Sequence, residues 1–193
     1  MSMELLSIPI SVISLVVSVG TFWLVYFRRG RLKMTTPTVV FFGYDHTPTP
    51  TAKVFVRTLL YSSASRGSVV EGMYARLTFR DEIKTFNFWG YGESEKLTVG
   101  SGLYVSQSGF AANHHFVASV ADDVFQFGIG KYEIEIFARQ TGKRNPTKLE
   151  SIELDLDAEL VEVLKRHEGV LFERSLDGEY VGHGRGFGQK GLE

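Results

Sequence analysis

The sequence predicts a mainly β protein with an N-terminal single transmembrane helix, an antiparallel β-sandwich, and a short C-terminal helix and hairpin. Three observations predict it. Residues 5–27 carry no charge. From Thr38 to Asp157 apolar and polar residues alternate in short runs separated by turn signals, with no helical period between them. Beyond Asp157 the spacing becomes helical for one short stretch and then returns to a hairpin pattern around Asp177-Gly178.

Composition bounds the function. The 193 residues hold 22 acids, 21 bases, five histidines and no cysteine, with 44% hydrophobic content. That much apolar material supports a packed core rather than a disordered chain. The absence of cysteine excludes disulfides, thiolate nucleophiles and cysteine-ligated zinc. A net charge of −1 offers no electrostatic footprint for nucleic acid.

The first element is LLSIPISVISLVVSVGTFWLVYF, Leu5 to Phe27. As a helix it spans about 34 Å, matching a hydrocarbon core of about 30 Å. Residues 1–4 form a short extracytoplasmic N-terminus. Trp23 and Tyr26 gather at the far end, where aromatic rings favour the headgroup level. Arg28, Arg29, Arg31 and Lys33 follow directly, and no Lys or Arg precedes the span. Positive flanks stay cytoplasmic, so the expected location is a single-pass membrane protein with its C-terminal domain in the cytoplasm. A cleaved signal would need a basic start and a shorter apolar run. Ser7, Ser11, Ser14, Ser18 and Thr21 are spaced four, three, four and three apart on one helix face. Small hydroxylated residues let helices approach within lipid, so the expected partners are the bilayer and either a second copy or another transmembrane protein.

Residues 28–37 read as a basic juxtamembrane linker and 38–157 as the sandwich. Strands are expected at Thr38–Tyr44, Lys53–Tyr61, Val69–Phe79, Ile83–Trp89, Lys96–Val99, Gly102–Val105, His115–Ser119, Val124–Ile129, Gly130–Arg139 and Leu149–Asp157. The run Gly130-Lys-Tyr132-Glu-Ile134-Glu-Ile136-Phe-Ala138 resembles strands of immunoglobulin-like sandwiches. That resemblance covers about ten residues, implies architecture alone and carries no function.

Asp157 is the expected cap of a helix running to about Glu168, with Gly169 as its stop. Residues 158–182 form an acidic helix–hairpin appendage, and 183–193 a mobile glycine-rich tail. Residues 150–179 hold 10 acids against three bases, whereas 34–149 hold 12 bases and 10 acids. The acidic part should point away from an anionic leaflet, within reach of a cytosolic protein partner.

Candidate chemistry is sparse. His114 and His115 are adjacent, so a regular strand sends them to opposite faces and no single metal is shared. One is expected inside, securing a backbone carbonyl, with Asn113 in a turn. Trp89 and Tyr91, with the two histidines, form a candidate binding rim. Lys143, Arg144 and Lys148 are available to phosphates or lipid headgroups. Glu153, Asp155 and Asp157 read as a solvated face. Neither a phosphate loop nor a nucleophile elbow occurs, so no catalytic residue, metal or cofactor is assigned. The expected role is binding, as an adaptor or assembly module. A ligand-binding sensor and an exported surface domain are the alternatives.

Overall fold

The computed structural model describes residues 3–26, 30–45, 50–92, 96–100, 102–119 and 125–185, with side chains of the first helix described over 9–25. Helix α1 runs Met3–Tyr26. The strands are β1 (Leu32–Met34), β2 (Val39–Asp45), β3 (Thr51–Ser62), β4 (Ser68–Phe79), β5 (Glu82–Tyr91), β6 (Thr98–Val99), β7 (Leu103–Val105), β8 (Phe110–Ala118), β9 (Gly130–Gln140) and β10 (Thr147–Leu156). Helix α2 (Ala158–Lys165) and the hairpin β11 (Gly169–Arg174) and β12 (Tyr180–Arg185) complete the chain.

All twelve strands join one antiparallel sheet in the order β10-β9-β4-β5-β8-β3-β2-β11-β12, with β1 on β3, β6 on β5 and β7 on β4. The sheet rolls up until it is nearly closed as a barrel. The mainly β, antiparallel expectation therefore stands, but the layers facing each other across the core belong to one coiled sheet, not to two separate sheets. Register shifts at Val70/Gly72, Phe88/Gly90 and Lys148/Glu150 supply curvature, since an extra residue on one strand bends it and increases its twist. Near closure is carried by side chains. Thr36 Oγ1 donates to Glu150 Oε2 (3.4 Å), and the Tyr180 hydroxyl to the Pro37 carbonyl (2.6 Å).

Alternation places the core. Val54, Val56 and Leu60 of β3 point inward, as do Ala75 and Leu77 of β4 and Tyr132, Ile134, Ile136 and Ala138 of β9. Phe42, Phe86, Phe116 and Phe172 fill the centre, each fully buried. Phe42 stacks on Phe127 at 4.8 Å and meets Phe172 edge-on at 5.4 Å.

Several expectations are corrected. The stretch read as a linker contains β1, whose Leu32 and Met34 are buried against β3. Three residues are too short for a periodic signal. Val124–Ile129 does not form a strand in its described part. Phe127 instead drops into the core, and the Tyr132 hydroxyl accepts from the Gly128 N–H (2.7 Å) and donates to the Gly128 carbonyl (2.9 Å). Asn113 lies within β8 rather than in a turn. Asp157 does cap α2, its carboxylate accepting from Leu160 N at 2.9 Å. However, α2 ends at Lys165, and the left-handed residue after it is His167 (φ 57°), not Gly169. Gly169 opens β11 beneath the Phe41 ring, which a Cβ there would strike. The hairpin is no appendage, because β11 pairs with β2 and buries Val170 and Phe172. Gly182 and Gly184, assigned to hairpin and tail, form β12 under α2; residues 186–193 lie outside the described residues.

The expected transmembrane span is not found: among the described residues no helix is long and apolar enough to cross a membrane.

Candidate functional site

Helix α1 is unlike the rest of the molecule. Its large apolar side chains, including Ile10, Ile13, Leu15, Val17, Phe22, Trp23 and Leu24, are 45–65% exposed. They lie on every side but the Ser/Thr face, and all the described side chains 9–25 are exposed, so no face of this stretch packs on the barrel. Such a surface far exceeds the few hundred Å² of contiguous apolar area that a monomer in water ordinarily shows. Burying one such side chain away from water is worth about 1.5–3 kcal/mol.

The hydroxyl face lies on this helix. Ser18 Oγ donates to the Ser14 carbonyl and Thr21 Oγ1 to the Val17 carbonyl, both at 2.8 Å. These bonds return the hydroxyls to their own helix and reduce the cost of placing them in lipid. Ser11 and Ser14 are exposed on the same face, while the Ser7 side chain lies outside the described residues. Of the residues expected as interfacial anchors, Trp23 is exposed, as are Arg31 and Lys33; the Tyr26 side chain, Arg28 and Arg29 lie outside the described residues.

Among the described residues the end of α1 and the chain from Gly30 meet the barrel at the β3–β4 turn (63–67). Ser65 Oγ donates to the Val25 carbonyl at 3.0 Å. Arg31 N donates to Ser63 Oγ (2.8 Å), and Ser63 N returns a bond to the Arg31 carbonyl (3.0 Å). Gly30 lies so close to Ala64 that any Cβ on it would collide with both side chain and backbone.

The four residues of the sequence-derived rim do not share a surface. Trp89 is the extra residue at the β5 bulge: Phe88 pairs with Phe116, Gly90 with His115 and Tyr91 with His114. The bulge lets Phe88 and Tyr91, three apart, both face the interior. Tyr91 meets Phe110 edge-on at 5.0 Å. His114 is fully buried, 6.2 Å from Phe88 and 6.1 Å from Phe110 between ring centroids. Neither of its ring nitrogens has a hydrogen-bond partner among the described residues. Burial, with His115 nearby, pushes its pKa down to about 4, so the imidazole is neutral near pH 7.

Trp89 and His115 belong to the opposite face of the sheet. His115 Nε2 lies 3.3 Å from the Gly92 carbonyl, and its ring is 5.1 Å from Phe55. Phe55 stacks on Phe41 at 4.8 Å. The Lys53 ammonium sits 4.7 Å over the Trp89 ring. Burial lowers the Lys53 pKa, with Asp45 opposing that shift. This row, with Phe41, Phe55 and Trp89 half-buried and His115 buried, is only partly visible in sequence. Its register runs across four strands, and only the short-range NFWG and HH clusters stand out along the chain.

Elsewhere charges neutralise one another. Glu135 accepts from Lys148 (2.5 Å) and Arg76 (3.5 Å), and Glu133 from Ser151 (2.8 Å). Glu153 and Asp155 are exposed on β10. No group of three His, Cys, Asp or Glu is arranged to hold a metal among the described residues.

Comparison with protein-family models, with curated proteins and with solved structures yields no match.

Proposed function

We propose that this chain is a single-span membrane protein whose β-barrel domain stands on the cytoplasmic side and binds a protein partner there, as an adaptor or assembly module. One observation carries the reading: a helix whose large apolar side chains are exposed along its described length, interrupted only by a face of small hydroxyl residues, on a domain that has its own buried core. The uncharged sequence continues past the described side chains to Leu5 and Phe27, long enough for the bilayer. The basic residues from Arg28 to Lys33 favour the cytoplasmic side for the barrel.

Small side chains at Ser7, Ser11, Ser14, Ser18 and Thr21 favour close approach of a second helix, either a copy of this one or another span. Tethering raises the effective concentration of the barrel at the membrane, so a modest contact surface suffices. Trp89 and Phe55, with the Lys53 ammonium over the indole, supply the accessible part of that surface, and the buried His115 ring packs behind Phe55. Tyr91 and His114 belong to the interior and act through structure.

Because the chain lacks cysteine, single reactive cysteines test the arrangement cleanly. In intact cells, labelling of Ser2→Cys without labelling of Gly191→Cys supports it, and the reverse pattern overturns the cytoplasmic placement. Replacing Ser11, Ser14 and Ser18 by leucine should reduce crosslinked oligomer; unchanged crosslinking discards the association face.

A second reading, a sensor whose barrel binds a small polar ligand, is favoured by the orphaned His114 imidazole inside the barrel. It predicts that His114 changes protonation or tautomer when cell extract is added, read by imidazole NMR. An unchanged His114 signal removes it.

A further inference from the structure

We infer that the barrel end carrying the α1 junction is a lipid-facing surface that engages anionic headgroups through Arg66, Lys143 and Arg144, beside Arg31 and Lys33. The inference rests on the membrane-anchor reading and adds an orientation and a ligand chemistry to it.

Topology brings these residues together. The β3–β4 turn, which holds Arg66, is bonded to the end of α1. Strand β4 leaves that turn paired with the end of β9, Val70 opposite Gln140. Gln140 Nε2 donates to Ser68 Oγ (2.6 Å) and Thr141 N to the Val69 carbonyl (3.0 Å), fixing the β9–β10 loop beside the turn. That loop carries Lys143 and Arg144, both exposed. Segments 30–34, 63–67, 106–109 and 141–146 contain five bases and no acid, and the β11–β12 turn at the same end adds Arg174 with Asp177 and Glu179. The 92–102 loop adds Lys96 with Glu93 and Glu95, and so no net positive charge.

The opposite end has the opposite sign. Strand β10 runs away from the junction and ends at Leu156, opposite Gly130, where α2 begins. Residues 155–168 hold five acids and two bases. The 12 residues of β4 run about 40 Å and, with the usual strand tilt, hold the ends roughly 30 Å apart, still several Debye lengths at physiological salt. An anionic leaflet therefore attracts one end and leaves the acidic end untouched. Each Lys or Arg near such a leaflet strengthens binding, and a junction of four bonded residues restricts the barrel to that presentation.

The test uses the full chain reconstituted in phosphatidylcholine vesicles with and without about 30% phosphatidylserine. A fluorophore is placed at Asn145→Cys or, as the remote control, at Glu162→Cys. With phosphatidylserine, the label at 145 should be quenched by headgroup-nitroxide lipid and be about threefold less open to acrylamide than the label at 162. The triple variant Arg66→Gln, Lys143→Gln, Arg144→Gln should lose that protection while retaining carbonate-resistant attachment. Equal exposure at 145 and 162, or equal protection without phosphatidylserine, overturns the headgroup contact while leaving the anchor standing. Release of the wild-type chain by carbonate overturns the anchor and the inference with it. Loss of a co-purifying protein by the triple variant, with lipid protection intact, assigns the surface to a protein and also overturns the inference.

Discussion

The Ser65 hydroxyl donates to the Val25 main-chain carbonyl over 3.0 Å, fastening the last turn of α1 to the β3–β4 turn of the barrel. A carbonyl near a helix C-terminus lacks an intrahelical partner, so this bond satisfies a group that would otherwise need water. Helix and barrel are thus joined at a defined point, with Gly30 as its tightest contact.

Gly30→Leu should break that junction without unfolding the barrel, because the added Cβ collides first with Ala64 of the β3–β4 turn, which is not one of the buried core residues. Disulfide crosslinking between Val25→Cys and Ser65→Cys should fall severalfold in this background, while the melting temperature of the barrel changes by only a few degrees. Intact crosslinking would show that Gly30 is not the contact that sets the junction.

His114 makes stability depend on pH. Its folded pKa, about 4, lies below the unfolded value near 6.5, so the unfolded state binds the proton more tightly between those values. Stability present above pH 6.5 is therefore lost as pH falls towards 4, by up to about 3 kcal/mol. His114→Leu removes the titration and the unpaired nitrogens together. Denaturation of the full chain in mild detergent should find this variant more stable than wild type at pH 4.5 and its pH profile flatter. A variant with the wild-type pH dependence would assign the effect to other groups.

The division of the aromatic cluster by the β5 bulge predicts opposite outcomes for neighbours. Tyr91→Ala removes a ring packed on Phe110 and should cost about 2–4 kcal/mol. Trp89→Ala, on the other face beside Lys53, should cost about 1 kcal/mol or less and weaken partner capture instead. Comparing the two melting temperatures checks the assignment.

Gly182 and Gly184 are spaces for α2. A Cβ at Gly182 would lie 2.6 Å from Leu160 Cδ1, and one at Gly184 2.9 Å from Val163 Cγ2. Gly182→Val should destabilise the domain by about 1–3 kcal/mol through overpacking, read as a lower denaturation midpoint at unchanged slope. An unaltered midpoint would mean that α2 is not seated on β12.

What the sequence reveals and conceals follows from the range over which each pattern acts. Strand β9 is legible because Tyr132, Ile134, Ile136 and Ala138 repeat every second residue within one strand. The cap at Asp157 is legible because its bond to Leu160 spans three residues. The inward Tyr91 is hidden, since one inserted residue at Trp89 reverses the phase of alternation. Strand β1 is hidden by its length, and Phe127 because it reaches the core from an irregular segment. Glycines 182 and 184 suggest mobility along the chain, yet their cause is a helix packed across them. Closure of a single sheet depends on which edges meet, and only Thr36, Glu150, Pro37 and Tyr180, far apart in sequence, disclose it.

The proposed function stands or falls on lipid covering α1, and alkaline carbonate extraction of membranes containing the full-length chain decides it. The chain should stay in the membrane pellet and leave it only with detergent. Recovery of the chain in the carbonate supernatant, free of lipid, would contradict it and assign the exposed helix to a protein partner.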